Sequence, residues 1–286
     1  MSKFSHAVKQ LIWSDELKEH QELSPLVSVA VFDSGQSLSP ILSKLYLSQL
    51  CSDQILVIKD GDRAEFCANR TFGSYLLEGY TLVVNEANQV SAELADALAC
   101  FQERFLFPCG VNIYATPANS RGFLAHYDPH DVMIFQMTGS KKWKIFTPNL
   151  NLPLKWEVFS TNTTGSIPWA EIVLNPGDCL YLPRGWIHEA ISLDATSVHA
   201  TFAIHGVTYA DLILNTLVGM IEGDHKLRRL ISKDCLGFNP KLSVIEIFAE
   251  LDLDFSRIEL EVLKSFESIK NDMEKRMQVV ASFCRK

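Results

Sequence analysis

A chain of 286 residues, 47% of them hydrophobic and 21% charged, can bury a full core without disulfides or a structural metal. Lys plus Arg number 26 against 34 Asp plus Glu, and the net charge of −8 argues against a dedicated nucleic-acid binder while suiting a basic protein partner. No apolar run reaches the ~20 residues of a bilayer span. The charged N-terminus MSKFSHAVKQLIWSDEL does not read as a signal peptide, and seven scattered cysteines without a CxxC pair suit reduced thiols, so a soluble cytoplasmic protein is expected.

In chain order, VSVAVF and QILVIKDG predict strands, and SPILSKLYLSQL between them predicts a helix with Ser39 as N-cap and Pro40 at its first position. Ser91 to Phe107 predicts another helix. Ser91 caps it, Leu94, Leu98, Phe101 and Phe105 form its apolar face, and Pro108 lies just beyond. From Val111 to His205 the texture is β. VNIYATP, FLAHYD, DVMIFQM, WKIFTP, EIVL, CLYLP, HEAIS and TSVHATFAIH are separated by Gly, Pro and Asn turns, the pattern of a sandwich or barrel. Beyond Gly206 the pattern returns to helix in TYADLILNTLVGMI and HKLRRLI. It ends in a long helix whose stripe Val262, Phe266, Ile269, Met273 and Val280 suits either packing on its own domain or a dimer interface. The organisation expected is a mainly β core at residues 1–206, with N-terminal flanking elements, followed by a helical region at 207–286 that forms a homodimer.

His126 and Asp128 stand two apart in a predicted strand, so both project from one face while Tyr127 projects from the other. His188 is the best candidate for a third ligand, because the turn Pro183-Arg184-Gly185 before it can swing the next strand back toward that pair. Two histidines and one carboxylate make the facial triad of non-heme Fe(II) oxygenases. The long gap between Asp128 and His188 fits ligands on distant strands at the mouth of a small barrel. His199 and His205 share one strand, and His199 is open between a core histidine, a pocket residue and a third metal ligand in place of His188. His130 is expected at the surface, with a place at the substrate mouth as the alternative.

Together the blocks VNIYATPANSRGFLAHYDPHDVMIFQMTGSKKWKIF and PGDCLYLPRGWIHEA resemble the JmjC-type cupin Fe(II)/2-oxoglutarate oxygenases, within them the ribosomal oxygenase (cupin-4) group. The resemblance covers about half the chain well. It implies an α+β fold with a double-stranded β-helix (cupin, or jelly-roll) core, an N-terminal α/β flank and a C-terminal helical region. It also implies iron held by His126, Asp128 and His188, with Lys141 receiving the distal carboxylate of 2-oxoglutarate and Asn112 and Tyr114 lining the same pocket. The reaction implied uses Fe(II), 2-oxoglutarate and O2, releases succinate and CO2, and hydroxylates a side chain in a protein or peptide. A basic ribosomal-protein segment is the substrate that the group suggests, with no membrane and no direct nucleic-acid partner.

The residues themselves are compatible with these roles. Asn112 and Tyr114 share a strand face, as do Lys141, Trp143 and Ile145. A lysine among apolar neighbours must snorkel or find an anion, although Lys141 beside Lys142 also reads as a solvated hairpin lysine. Three rival functions remain open on sequence: tailoring of a peptide natural product or free amino acid, a non-catalytic cupin that binds a ligand or partner, and a metal cupin of isomerase or dioxygenase type that uses no 2-oxoglutarate.

Overall fold

The computed structural model describes residues 2–33, 54–67, 69–105 and 107–223, together with Lys264 and Glu267 as isolated helical positions. The helix expected at Ser39–Pro40, the HKLRRLI helix and the stripe from Val262 to Val280 lie outside the described residues. The described residues divide into two compact units, one ending at Gly206 and the other beginning at Val207.

The first unit opens with helices α1 (Lys3–Ile12) and α2 (Asp15–His20), each started by a serine that accepts a backbone N–H: Ser2 from Ser5, Ser14 from Leu17. Strand β1 is short (Leu26–Ser28), so only the first part of VSVAVF pairs. Then come β2 (Ile55–Lys59), β3 (Asp62–Ala64), α3 (Phe72–Leu77), β4 (Thr81–Val84) and α4 (Ala92–Phe105). Ser91 caps α4 as expected, its hydroxyl accepting from Leu94 N. The β texture resolves into β5 (Cys109–Thr116), β6 (Asp131–Thr138), β7 (Lys141–Phe146), β8 (Ala170–Leu174), β9 (Cys179–Leu182), β10 (Ile187–Ser192) and β11 (Ser197–Ile204). The predicted strand FLAHYD is a correction: it is irregular chain with a single bridge, His126 to His188. A strand needs a partner along its length, and here only one residue has one.

The strands form two antiparallel sheets, an eight-stranded one in the order β1-β9-β6-β11-β5-β4-β2-β3 and a three-stranded one in the order β10-β7-β8. Together they make a jelly-roll core. The large sheet is covered on both faces, which explains why β6 and β9 are buried almost throughout. On one face Phe135, Ile113, Ala200 and Phe202 pack against Phe4 and Val8 of α1 and Leu94, Leu98 and Phe101 of α4. The Phe101 and Phe202 rings stack 4.5 Å apart. On the other face Val132, Ile134, Leu180 and Leu182 meet Trp143, Ile145 and Leu174 of the small sheet. The period of two therefore sends Tyr114, Thr201 and His199 toward the small sheet, while their neighbours Ile113, Ala200 and Phe202 go to the helices.

The β6–β7 turn decides which lysine enters the core. Gly139 sits at φ +60°, and a Cβ there would lie 2.3 Å from the carbonyl oxygen of Thr196. The turn sends Lys141 inward and Lys142 outward, where it pairs with Glu171.

The second unit is described at α5 (Tyr209–Gly223). Thr208 and Asp211 close a reciprocal cap: Asp211 N donates to Thr208 Oγ1, and Thr208 N donates to the Asp211 carboxylate, each at 3.0 Å.

Replacing Gly139 by Ala adds a left-handed side chain and a backbone collision. Urea unfolding is expected to show a loss of about 2 kcal/mol or more. A smaller loss would mean that the turn can relax without moving Lys141.

Candidate metal centre

His126 and His188 are brought together by their backbones before their side chains are considered. His126 N donates to His188 O at 3.1 Å, and His188 N returns the bond to His126 O at 2.8 Å. Two residues along, Gly185 N donates to Asp128 O at 2.9 Å. Three hydrogen bonds thus clamp the segment bearing His126 and Asp128 to the turn and strand bearing His188. The turn has its own anchor in Asp131, whose carboxylate accepts from the Tyr181 hydroxyl at 2.6 Å and from Arg184 N at 3.0 Å.

One ligand-type atom from each of His126, Asp128 and His188 lies within 4.8 Å of the others. The imidazoles have the tautomer that a metal needs. His126 Nδ1 donates to Leu124 O at 2.8 Å and His188 Nδ1 to Trp186 O at 3.0 Å, since a carbonyl can only accept. Each ring therefore carries a proton on Nδ1, which leaves Nε2 as the atom that can bind a metal. Burial, aided by the neighbouring His126, pushes His188 down to about 4, so it is neutral at physiological pH. Tyr127 points away as its position predicts, its ring stacked 3.8 Å from Phe159 and its hydroxyl donating to Glu157 O. Two imidazoles and a carboxylate suit a divalent first-row metal.

The three residues open onto a cavity of about 160 Å³ between the sheets, lined also by Thr81, Tyr114, Phe123, Lys141, Trp143, His199 and Thr201. Lys141 is 5% exposed, with its ammonium on Thr116 Oγ1 at 3.1 Å. Thr116 in turn receives Thr81 Oγ1 at 3.2 Å. No carboxylate among the described residues pairs with Lys141, and burial alone pushes it from 10.5 down to about 7. A buried lysine that lines a cavity without an anion is suited to receive one. The solvated-lysine alternative is thereby excluded.

The other expected residues divide. Tyr114 lines the cavity, and burial raises its hydroxyl to about 12. Asn112 meets the cavity through Tyr114, whose side chain it hydrogen-bonds, and its Oδ1 accepts from Glu86 N at 3.1 Å. His130 stays outside the lining, its ring 4.4 Å from that of His205. Two cavity residues, Thr81 and Phe123, carry no local motif. Thr201 and His199 were legible only through their alternation on β11.

Residues 81–212 match the JmjC domain family. The chain carries a JmjC domain. Over 211 residues, 69% of this chain, it is 29% identical to the bifunctional lysine-specific demethylase and histidyl-hydroxylase NO66 of Drosophila pseudoobscura pseudoobscura, covering 22% of that protein. Over 112 residues, 38% of this chain, it is 40% identical to ribosomal oxygenase 1 of Homo sapiens, covering 18% of that protein. The chain thus spans about a fifth of the length of these relatives. Among solved structures, the Escherichia coli ribosomal oxygenase YcfD in complex with cobalt and 2-oxoglutarate superposes with a TM-score of 0.55 at 18% identity. That match covers 88% of this chain and 66% of the other, and it shows the JmjC domain and its surroundings to have the same fold.

If the three residues of the JmjC domain hold a divalent ion, His126→Ala or Asp128→Ala should abolish stoichiometric Fe(II) or Co(II) binding in equilibrium dialysis. His199→Ala should leave it in place. Metal retained without His188 but lost without His199 would reverse the assignment.

Proposed function

We propose that the chain is an Fe(II)/2-oxoglutarate-dependent oxygenase that hydroxylates a side chain in a protein or peptide. The observation that carries this reading is one cavity joining a two-histidine, one-carboxylate cluster to a buried lysine that lacks an anion. His126, Asp128 and His188 would hold the iron, which when bound supplies the redox chemistry with O2 and the keto acid. Overall, 2-oxoglutarate, O2 and a C–H bond become succinate, CO2 and a C–OH.

The remaining steps belong to the chain. Lys141 receives the distal carboxylate with help from Thr116, fixing how deep the cosubstrate sits. Val132, Ile134 and Trp143 give the cavity an apolar wall that limits water and strengthens the charge pairing. Similarity to a ribosomal oxygenase and to a histidyl-hydroxylase supports a protein side chain as substrate. The net charge of −8 suits a basic segment such as those of ribosomal proteins.

Residues 207–286 are proposed as a dimerising region of a cytoplasmic protein. Ile213, Leu214, Val218 and Ile221 of α5 are exposed, which supports a partner for that helix, and light scattering tests it. Among the described residues no helix is long and apolar enough to cross a membrane.

Succinate release that requires iron, O2 and 2-oxoglutarate together is the test of the activity. Mass spectrometry of cellular proteins with and without the enzyme should then find a product one oxygen heavier. A protein that binds metal but forms no succinate under any substrate would sink the proposal.

Lys141→Ala should weaken 2-oxoglutarate binding ten- to a hundredfold, at about 1.4 kcal/mol per tenfold, while Lys142→Ala leaves it unchanged. The wild type should also show a pH dependence. An anion binds the protonated amine, so affinity is full below about 7 and falls as pH rises toward 10.5, by up to about tenfold per unit. His199, which faces Lys141, stays neutral across this range, and Tyr114 titrates only near 12. A flat affinity profile from pH 6 to 9 in calorimetry would contradict the role of Lys141.

A further inference from the structure

His199 is 3% exposed, lines the cavity, and makes no hydrogen bond with any described residue. Its ring is gripped on two sides. It pairs across the strands with Tyr114, with the rings 4.8 Å apart and almost parallel, and it meets the Trp143 ring edge-on at 5.7 Å. A ring so held cannot turn to seek a partner. An apolar residue would fill the same space without the cost of burying an imidazole. The buried Nδ1 is out of reach of a ligand in the cavity, so a bond to one must be made by Nε2.

The tautomer follows from the closed side of the ring. Nδ1 is sealed from solvent and has no partner. A buried N–H without an acceptor is rarer than a buried acceptor without a donor, so the single proton of the neutral ring belongs on Nε2. His199 then offers the cavity one N–H donor. This differs from His126 and His188, whose protons are held on Nδ1 by backbone carbonyls. Burial and the nearby Lys141 both disfavour a positive charge on His199, so the donor is neutral.

We propose that His199 is a second hydrogen-bond donor, through Nε2–H, to the carboxylate of 2-oxoglutarate that Lys141 receives. This rests on the 2-oxoglutarate reading above. A carboxylate has two oxygens and about four lone-pair sites, more than one lysine can satisfy. Lys141 already gives one hydrogen to Thr116. The lysine supplies charge without a fixed direction. The clamped imidazole supplies direction, which sets the orientation of the carboxylate plane.

The test is calorimetric titration of 2-oxoglutarate, without O2, into manganese-loaded wild type and the variants His199→Phe, His199→Gln and Lys141→Ala. His199→Phe keeps the stacking but removes the donor, and should weaken binding roughly ten- to a hundredfold. His199→Gln carries a neutral donor on a similar reach and should stay within about threefold of wild type. Manganese affinity should not change in either.

If His199→Phe binds like wild type while Lys141→Ala is weakened, His199 is not a donor and the 2-oxoglutarate reading stands. If wild type does not bind, or Lys141→Ala binds like wild type, that reading fails and this inference with it. Should His199→Phe not fold, nitrogen NMR of histidine-labelled, zinc-loaded wild type decides. An Nε2–H tautomer whose Nε2 resonance moves on adding 2-oxoglutarate supports the proposal, and an Nδ1–H tautomer or an unmoved resonance overturns it.

Discussion

A sheet covered on both faces has no solvent side on which to leave its polar residues, and the large sheet of this protein is covered on both. One face takes the apolar set Ile113, Phe135, Ala200 and Phe202 against α1 and α4. The alternate positions Tyr114, Thr116, His199 and Thr201 must then point into the space between the sheets, where water is scarce. Polar groups in such a place need partners of their own or a ligand. The threonine pair Thr81–Thr116 and the contact of Lys141 with Thr116 meet part of that need. Lys141, which has no anion, and the His199 ring both face the cavity, beside Trp143, whose buried Nε1 has no partner either. The chemistry of the site is thus the remainder of a packing problem that the helices solve on the other side.

The second constraint is the clamp between His126 and His188. Ligands carried on one strand would be spaced by its rigid repeat. Here the His126 segment is free of a ladder and is held at one bridge and at Gly185–Asp128. That leaves the backbone enough latitude to aim an imidazole and a carboxylate at the same point as His188. Asp131, Tyr181 and Arg184 stiffen the opposite side of the clamp. The buried carboxylate of Asp131 is raised by desolvation yet has two donors, which keeps it a structural acceptor beside the site.

Most of the strands could be read from alternation and turn residues because β-branched and aromatic runs between Gly, Pro and Asn leave few other choices. Helix α4 was legible for the same kind of reason, with Ser91 and Pro108 marking its ends. The helices at residues 3–20 carry equally good caps at Ser2 and Ser14, although the charges that argue against a signal peptide there say nothing of local structure. FLAHYD failed as a strand because its composition suits pairing while its neighbours offer one paired residue. Asn112 shares its strand face with Tyr114, and the structure adds the hydrogen bond that joins their side chains and the one that ties Asn112 to Glu86 N.

The sequence by itself determined which side chains could do chemistry: the spacing of His126 and Asp128, the turn before His188, and a lysine among apolar strand neighbours. Those are local facts, set by the period of a strand and the demands of a turn. Only the tertiary structure decided that Lys141 rather than Lys142 is buried, because the side of the sheet facing inward depends on the Gly139 turn and on what covers it. It also decided that His199 is a cavity residue rather than a core histidine. That role is created by Tyr114 and Trp143, which come from distant strands, and by a hydrogen-bond vacancy that appears only when the two sheets close over it.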